Sequence, residues 1–225
     1  MDTNQLKAEF CEIGRRIYAK GFAAGNDGNL SYCTGPDEVL CTPTMICKGF
    51  MEPADMCLVD LQGTQLEGRR APSSEILMHL AIYQEQPAAK AVVHCHPPHA
   101  TAFAVAGEPV PQGVLPEVEM YLGEIPTSPY ATPGTPRLGD SIRPLVARGA
   151  TTVVLANHGV VAWADTVERA FWRVELLDAY CRILLLARQL GAPQPLPDGE
   201  IRSILQAKAA QGLSDPRIVD GVVQD

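Results

Sequence analysis

The chain has 225 residues, with 26 acidic against 18 basic side chains, a formal net charge of −8, 46% hydrophobic and 20% charged residues. That is long enough for one α/β domain with a buried core, and ordinary for a soluble globular protein. The acidic balance and the absence of any lysine- or arginine-rich block exclude non-specific nucleic-acid binding, which needs a basic surface to meet phosphates.

The opening Met1-Asp2-Thr3-Asn4-Gln5 is polar and lacks the apolar core of a signal peptide. Residues 3–21 then read as an amphipathic helix, with Leu6, Phe10, Ile13 and Ile17 on one face and Gly21 to close it. Gly25-Asn26-Asp27-Gly28-Asn29 is a turn feeding a short strand at 30–33. Val39–Thr42 and Met56–Asp60 are two more strands, and such short segments broken by Gly, Pro and Asp suggest antiparallel pairing. Pro72-Ser73-Ser74-Glu75 opens a helix to about Gln86, with serine as N-cap and an acid in the first turn. Residues 91–96 form an apolar strand, and a proline-led helix covers 98–106. The proline-rich stretch 107–135 reads mainly as loop, with a short strand near 121–125. Thr135-Pro136 starts a helix to about Arg148, distorted at Pro144. Thr151–Ala156 and Val160–Trp163 are strands around Asn157-His158-Gly159. Asp165-Thr166-Val167-Glu168 has the spacing of a capping box for a long helix to Leu190, and a last helix covers 198–211. The longest apolar run, Ile183–Ala187, is too short to span a bilayer, so no membrane partner is expected. No repeat or linker divides the chain, and residues 1–225 are expected to form one domain. Seven irregularly spaced cysteines do not make a disulfide framework; they fit small core residues in a reducing cytoplasm, the expected location.

The chemistry concentrates in a few residues. Side chains two apart on a strand share a face, so His94 and His96 present two imidazoles together, while Cys95 points to the opposite face. His158, at the end of another apolar strand and before a glycine, can complete a three-histidine set with an open position, the arrangement of a catalytic metal. Glu75 is the natural fourth member. Taken alone it is equally a helix-capping acid, and with His79 four residues on it forms a ligand pair, a salt bridge or nothing. Gly28-Asn29, Thr42-Pro43-Thr44 and Ser73-Ser74 offer amides and hydroxyls suited to an anion, and Lys48 can add positive charge. Each alone is ordinary turn or cap chemistry.

Taken together and in order, Gly28-Asn29-Leu30-Ser31, Thr42-Pro43-Thr44, Pro72-Ser73-Ser74-Glu75, Val93-His94-Cys95-His96, Pro129-Tyr130-Ala131-Thr132 and Asn157-His158-Gly159 resemble the class II aldolase/adducin family, in particular its fuculose-phosphate-aldolase branch. The resemblance covers roughly residues 5 to 190. It implies a three-layer αβα sandwich around a mostly antiparallel sheet, assembled as a homotetramer. It implies zinc, with manganese, cobalt or iron as alternatives, held by His94, His96 and His158. Glu75 is then a ligand of the resting metal and the acid/base of turnover, and Gly28, Asn29, Thr44, Ser73 and Ser74 bind the phosphate of a small sugar phosphate. His79 and His99 are not ligands on this basis. The implied reaction splits a ketose 1-phosphate (fuculose, rhamnulose, 5-deoxyribulose or methylthioribulose type) between C3 and C4 into dihydroxyacetone phosphate and an aldehyde. The ene-diolate left behind needs a Lewis acid and a nearby proton carrier.

Two departures stand out. Met45 occupies a position where the family's Thr-Pro-Thr motif usually continues with glycine. The tyrosines with which fuculose-phosphate aldolases handle the aldehyde have no match; the 114–121 stretch offers Glu117, Glu119 and Tyr121 instead. With an apolar 114–122 segment, this favours a deoxy or thioether tail. Relatives in the family also act as epimerases, dehydratases or decarboxylases; the epimerases carry aspartate after the serine pair, where this chain has Glu75. A non-catalytic adducin-like module would be expected to have lost the metal residues, and a metallo-β-lactamase-like hydrolase is opposed by Pro97-Pro98 directly after the histidine pair.

Overall fold

A computed structural model describes residues 2–224. In chain order the helices are α1 (Thr3–Ala19), α2 (Ile76–Glu85), α3 (Pro98–Ala106), α4 (Pro116–Tyr121), α5 (Pro136–Ala147), α6 (Val167–Leu190) and α7 (Asp198–Ala210). The strands are β1 (Asn29–Gly35), β2 (Glu38–Cys41), β3 (Cys57–Val59), β4 (Gln65–Glu67), β5 (Ala91–Cys95), β6 (Thr127–Ser128), β7 (Thr152–Leu155) and β8 (Gly159–Ala164), with a terminal hairpin of β9 (Ile218–Val219) and β10 (Val222–Val223). β1 to β8 form one sheet in the order β4-β3-β2-β1-β5-β8-β7-β6. Every pair is antiparallel except β6 with β7.

Strand alternation sorts the core into two layers. Ala91, Val93 and Cys95 of β5, with Val160, Ala162 and Ala164 of β8, pack against α1, α3, α4 and α6. Val92 of β5, with Val161 and Trp163 of β8, packs against α2 and α5. The result is the expected three-layer α/β arrangement, and it puts Cys95 in the layer away from His94. At the β1–β5 pair, Asn29 stands opposite His94. The active-site candidates therefore gather at one end of the central strands, on the α2 side.

Three local expectations are corrected. No strand forms at 121–125: the short helix α4 ends at Tyr121, and the strand that follows, β6, lies at 127–128. Pro116 sits in the first turn of α4, and Val118 and Leu122 bury four residues apart, so the apolar pattern has helical rather than strand period. The long α6 is capped by Thr166, whose hydroxyl accepts from Arg169 N, while Asp165 pairs with the Arg169 guanidinium. Finally, α2 begins at Ile76, not at the serines. Ser73 instead forms the preceding turn, its carbonyl accepting from Ile76 N and its hydroxyl from Glu75 N, so Glu75 takes the N-cap position.

Candidate active site

His94, on β5, is fully buried. His96 lies one residue past the strand end, its backbone N–H donating to Phe22 O at 2.8 Å. His158 sits in the β7–β8 turn, where Asn157 adopts a left-handed φ of 55°. Gly159 follows because a side chain there would run into His96 and would sit 2.7 Å from Cys95 O. The three rings lie 4.7 to 5.0 Å apart between centroids, and one nitrogen from each falls within 4.8 Å of the others.

Glu75 faces this cluster. Its Oε2 is 3.3 Å from His94 Nε2, and its Oε1 is 3.3 Å from His158 Nε2. Asn29 Nδ2 donates to Oε2 at 2.9 Å. Behind Asn29, the buried His79 contacts Asn29 Oδ1 through Nε2 at 2.6 Å and Ser31 Oγ through Nδ1 at 2.7 Å. His79 thus shares the α2 face with Glu75 but is spent on holding Asn29. His99 turns away to Asp178, with Nδ1 2.9 Å from Oδ2.

Burial and proximity set the protonation states. For Glu75 burial pushes the carboxyl up, but the His94 and His158 rings and the Asn29 bond hold it well below the ordinary carboxylate range. Burial depresses His94, yet the Glu75 carboxylate lifts it above an ordinary imidazole. Burial and then the charge of His94 lower His158 to about 4 and His79 to about 3, and shift His96 down as well. Neutral His96 and His158 and an ionised Glu75 are in the states a divalent cation requires, and a cation bound there would take the place of the proton that Glu75 favours on His94.

The residues present fit such an ion. His94 Nε2 and His96 Nε2 approach to 3.2 Å. Glu75 Oε1 is buried with no hydrogen-bond partner, 3.3 Å from His158 Nε2. Buried polar atoms rarely go unpaired, and at a cluster of nitrogen donors a cation satisfies this one.

The anion candidates meet the same place. A cleft of about 210 Å³ is lined by Gly28, Asn29, Thr44, Ser73, Ser74 and Glu75 together with His96, His158 and Lys48. Ser73 N donates to Thr42 O, and Thr44 N to Ala71 O, which ties the two hydroxyl-bearing loops together. Gly28 has φ +74°, and a side chain there would press on His94 O at 3.1 Å. Lys48 is not solvated surface: its ammonium donates to Asn26 O and Ile46 O at 2.9 and 2.7 Å, tying the β1 turn to the 42–48 loop. Burial brings its pKa down to about 8, against the upward pull of Cys47, Asp27 and Glu75. Met45 takes a left-handed φ of 55° and leaves its side chain exposed. A larger hollow of about 840 Å³ lies at the opposite end of β1, near Tyr32, Glu38 and Lys90, and holds none of the histidines.

One group near the histidines was missed by sequence reasoning: Asp27 lies 3.3 Å from His96 Nδ1. Asn29, expected at the phosphate, also donates to Glu75 and is held from behind by His79. Conversely, Glu119, expected near the substrate tail, is buried elsewhere: it accepts from Gly113 N and sits 2.7 Å from Arg217. Tyr121 and Tyr130 are exposed, and no tyrosine lines the cleft.

Residues 8–185 match the model of the class II aldolase and adducin N-terminal domain. The chain belongs to that family. It is 34% identical to the 3-oxo-tetronate 4-phosphate decarboxylase of Cupriavidus necator, over 91% of this chain and 98% of that one. It is 30% identical to the L-fuculose phosphate aldolase of Escherichia coli, over 95% of this chain and 98% of that one. A solved L-fuculose 1-phosphate aldolase superposes with a TM-score of 0.82 at 31% identity, covering 89% of this chain and 94% of that one. The family's divalent-metal dependence agrees with the three-histidine cluster, and its substrates are small sugar phosphates.

Proposed function

We propose that the protein is a zinc-dependent lyase that breaks the bond between the α and β carbons of a phosphorylated keto compound and releases dihydroxyacetone phosphate. The observation that carries this reading is the convergence, in one cleft, of His96, His158 and an ionised Glu75, backed by the buried His94, with the hydroxyls of Thr44, Ser73 and Ser74. His94, His96 and His158, with Glu75 beside them, would hold the cation; imidazole suits zinc, and also manganese, iron or cobalt. When bound, the cation supplies positive charge against the oxyanion that develops as the bond breaks.

The chain's own residues do the rest. Thr44, Ser73, Ser74 and the Gly28–Asn29 turn grip the phosphate and fix the orientation of the carbonyl end. Asn29 pins one Glu75 oxygen, leaving Oε1 free of hydrogen bonds to carry the proton.

Two substrate classes lead to the same ene-diolate. A ketose 1-phosphate loses an aldehyde by C3–C4 cleavage; a 3-oxo acid 4-phosphate with a 2-hydroxyl loses carbon dioxide. Protonation of either residue gives dihydroxyacetone phosphate. Retro-aldol cleavage also needs a base for the C4 hydroxyl, whereas a carboxylate is already ionised and leaves unaided. A cleft with one evident proton carrier and no tyrosine therefore favours decarboxylation, as does the extent of similarity to the Cupriavidus decarboxylase. Aldol cleavage of a fuculose, 5-deoxyribulose or methylthioribulose 1-phosphate is the second reading, favoured by the motif pattern and the L-fuculose 1-phosphate aldolase structure. A homotetramer acting in the cytoplasm is part of this proposal.

The test is a coupled assay for dihydroxyacetone phosphate on the zinc-loaded enzyme with both substrate classes, with carbon dioxide and aldehyde measured in parallel. We expect stoichiometric carbon dioxide from the 3-oxo acid. Aldehyde from a ketose phosphate alone would select the second reading, and no product from either class would reject both.

A further inference from the structure

The three clustered histidines are supported unequally. His94 donates Nδ1–H to a neutral carbonyl, Val160 O, at 2.9 Å. His158 Nδ1 is buried with no hydrogen-bond partner. Only His96 has a carboxylate behind it, with Asp27 Oδ2 3.3 Å from Nδ1.

Asp27 is fixed by the turn that precedes β1. Its N–H donates to Ala24 O at 3.1 Å, and Lys48 holds the adjacent Asn26 O. Its side chain is 43% exposed and pairs with no lysine or arginine among the described residues. The aspartate is not spent on the core or on a surface ion pair. Its one directed contact is the nitrogen of His96 that faces away from the other rings, while Nε2 faces His94.

We propose that Asp27 is a positioning residue for metal binding by His96. A carboxylate at Nδ1 accepts the N–H, so the proton is kept on that nitrogen and the Nε2 lone pair is left bare toward the cluster. The negative charge also makes that nitrogen a stronger donor than one backed by a carbonyl. His96 needs this support more than His94 does, because it lies beyond the strand end and is only partly buried, whereas His94 is locked inside the sheet. The inference rests on the metal-site reading above. It adds a residue from the anion-binding turn to the metal's support, so the same five-residue turn serves both functions.

The experiment is competition for Zn²⁺ alone against a chromophoric chelator, using wild type, Asp27→Ala, Asp27→Asn and His94→Ala, with thermal unfolding of each metal-free protein. Asp27→Ala should bind zinc about 10- to 100-fold more weakly. Asp27→Asn keeps an oxygen acceptor without the charge and should fall between the two. Both should unfold, metal-free, within about 2 °C of wild type, since a half-exposed side chain contributes little to the core. Tight zinc binding that is lost in His94→Ala but unchanged within twofold in Asp27→Ala overturns the role of Asp27 alone. Binding unaffected by His94→Ala overturns the metal site itself, and this proposal with it. Weakened binding accompanied by a comparably lowered metal-free unfolding temperature also overturns it, by making Asp27 structural.

Discussion

Two buried polar clusters in this protein follow opposite rules. At the C-terminal end, Lys208 Nζ meets Asp215 Oδ2 at 2.8 Å and Glu119 O at 3.2 Å. Arg217 forks onto both Asp215 oxygens at 2.9 Å and reaches Glu119 at 2.7 Å. Two cations and two carboxylates close on one another, binding α7 and the chain end to α4. At the β5 end, the Glu75 carboxylate faces imidazoles and pairs with no lysine or arginine among the described residues. The first cluster matches its carboxylates with cations and holds structure; the second lacks a cation and has a cleft beside it. The missing cation, rather than polarity or burial, marks the site.

The comparison breaks most visibly if the two clusters respond alike to loss of one member. Glu75→Gln should lower kcat for dihydroxyacetone phosphate release by about 10²- to 10⁴-fold, the usual span for a lost acid/base group, while the metal-free unfolding temperature holds. Initial rates and calorimetry check both halves. Lys208→Met should do the reverse. Removing one partner of a buried pair costs about 3–5 kcal/mol, roughly 10 °C in Tm here, with kcat per folded molecule unchanged. A kcat loss in Lys208→Met beyond its unfolded fraction would erase the distinction.

Acid sharpens it further. Burial raises Asp215, but Arg217 and Lys208 hold it below its ordinary value of 3.8. In the window below that value the unfolded chain binds the extra proton, so the stability Asp215 contributes is full above it and fades as pH falls through the depressed value. The stability gap between wild type and Asp215→Asn should therefore shrink between about pH 5 and pH 2 in denaturant titrations. The smallest effect belongs to the support behind Glu75. His79→Gln should cost no more than about tenfold in kcat/KM, the worth of one buried hydrogen bond to Asn29, and should leave zinc affinity within twofold.

How much of this was legible follows from the range of each interaction. The period-two spacing of His94 and His96, the helix-start position of Glu75 and the apolar strand ending at His158 are local patterns, and they identify the residues brought together. The two-faced strands likewise announce helices on both sides. The pairing of Asp27 with His96 is set by β1 lying beside β5, a register that no nearby residue encodes. The burial of Glu119 depends on Arg217, far along the chain, and α4 was hidden because Met120-Tyr121-Leu122 is equally apolar as strand or helix. Local chemistry gives the parts; long-range register decides which carboxylates serve the site and which serve the fold.

The ene-diolate shared by both substrate classes is the central claim, and hydrogen exchange tests it without either leaving group. Zinc-loaded enzyme incubated with dihydroxyacetone phosphate in deuterium oxide should exchange one hydrogen at the hydroxymethyl carbon, seen as loss of its proton NMR signal, and Glu75→Gln should abolish that exchange. Exchange no faster than the enzyme-free solution would contradict the account.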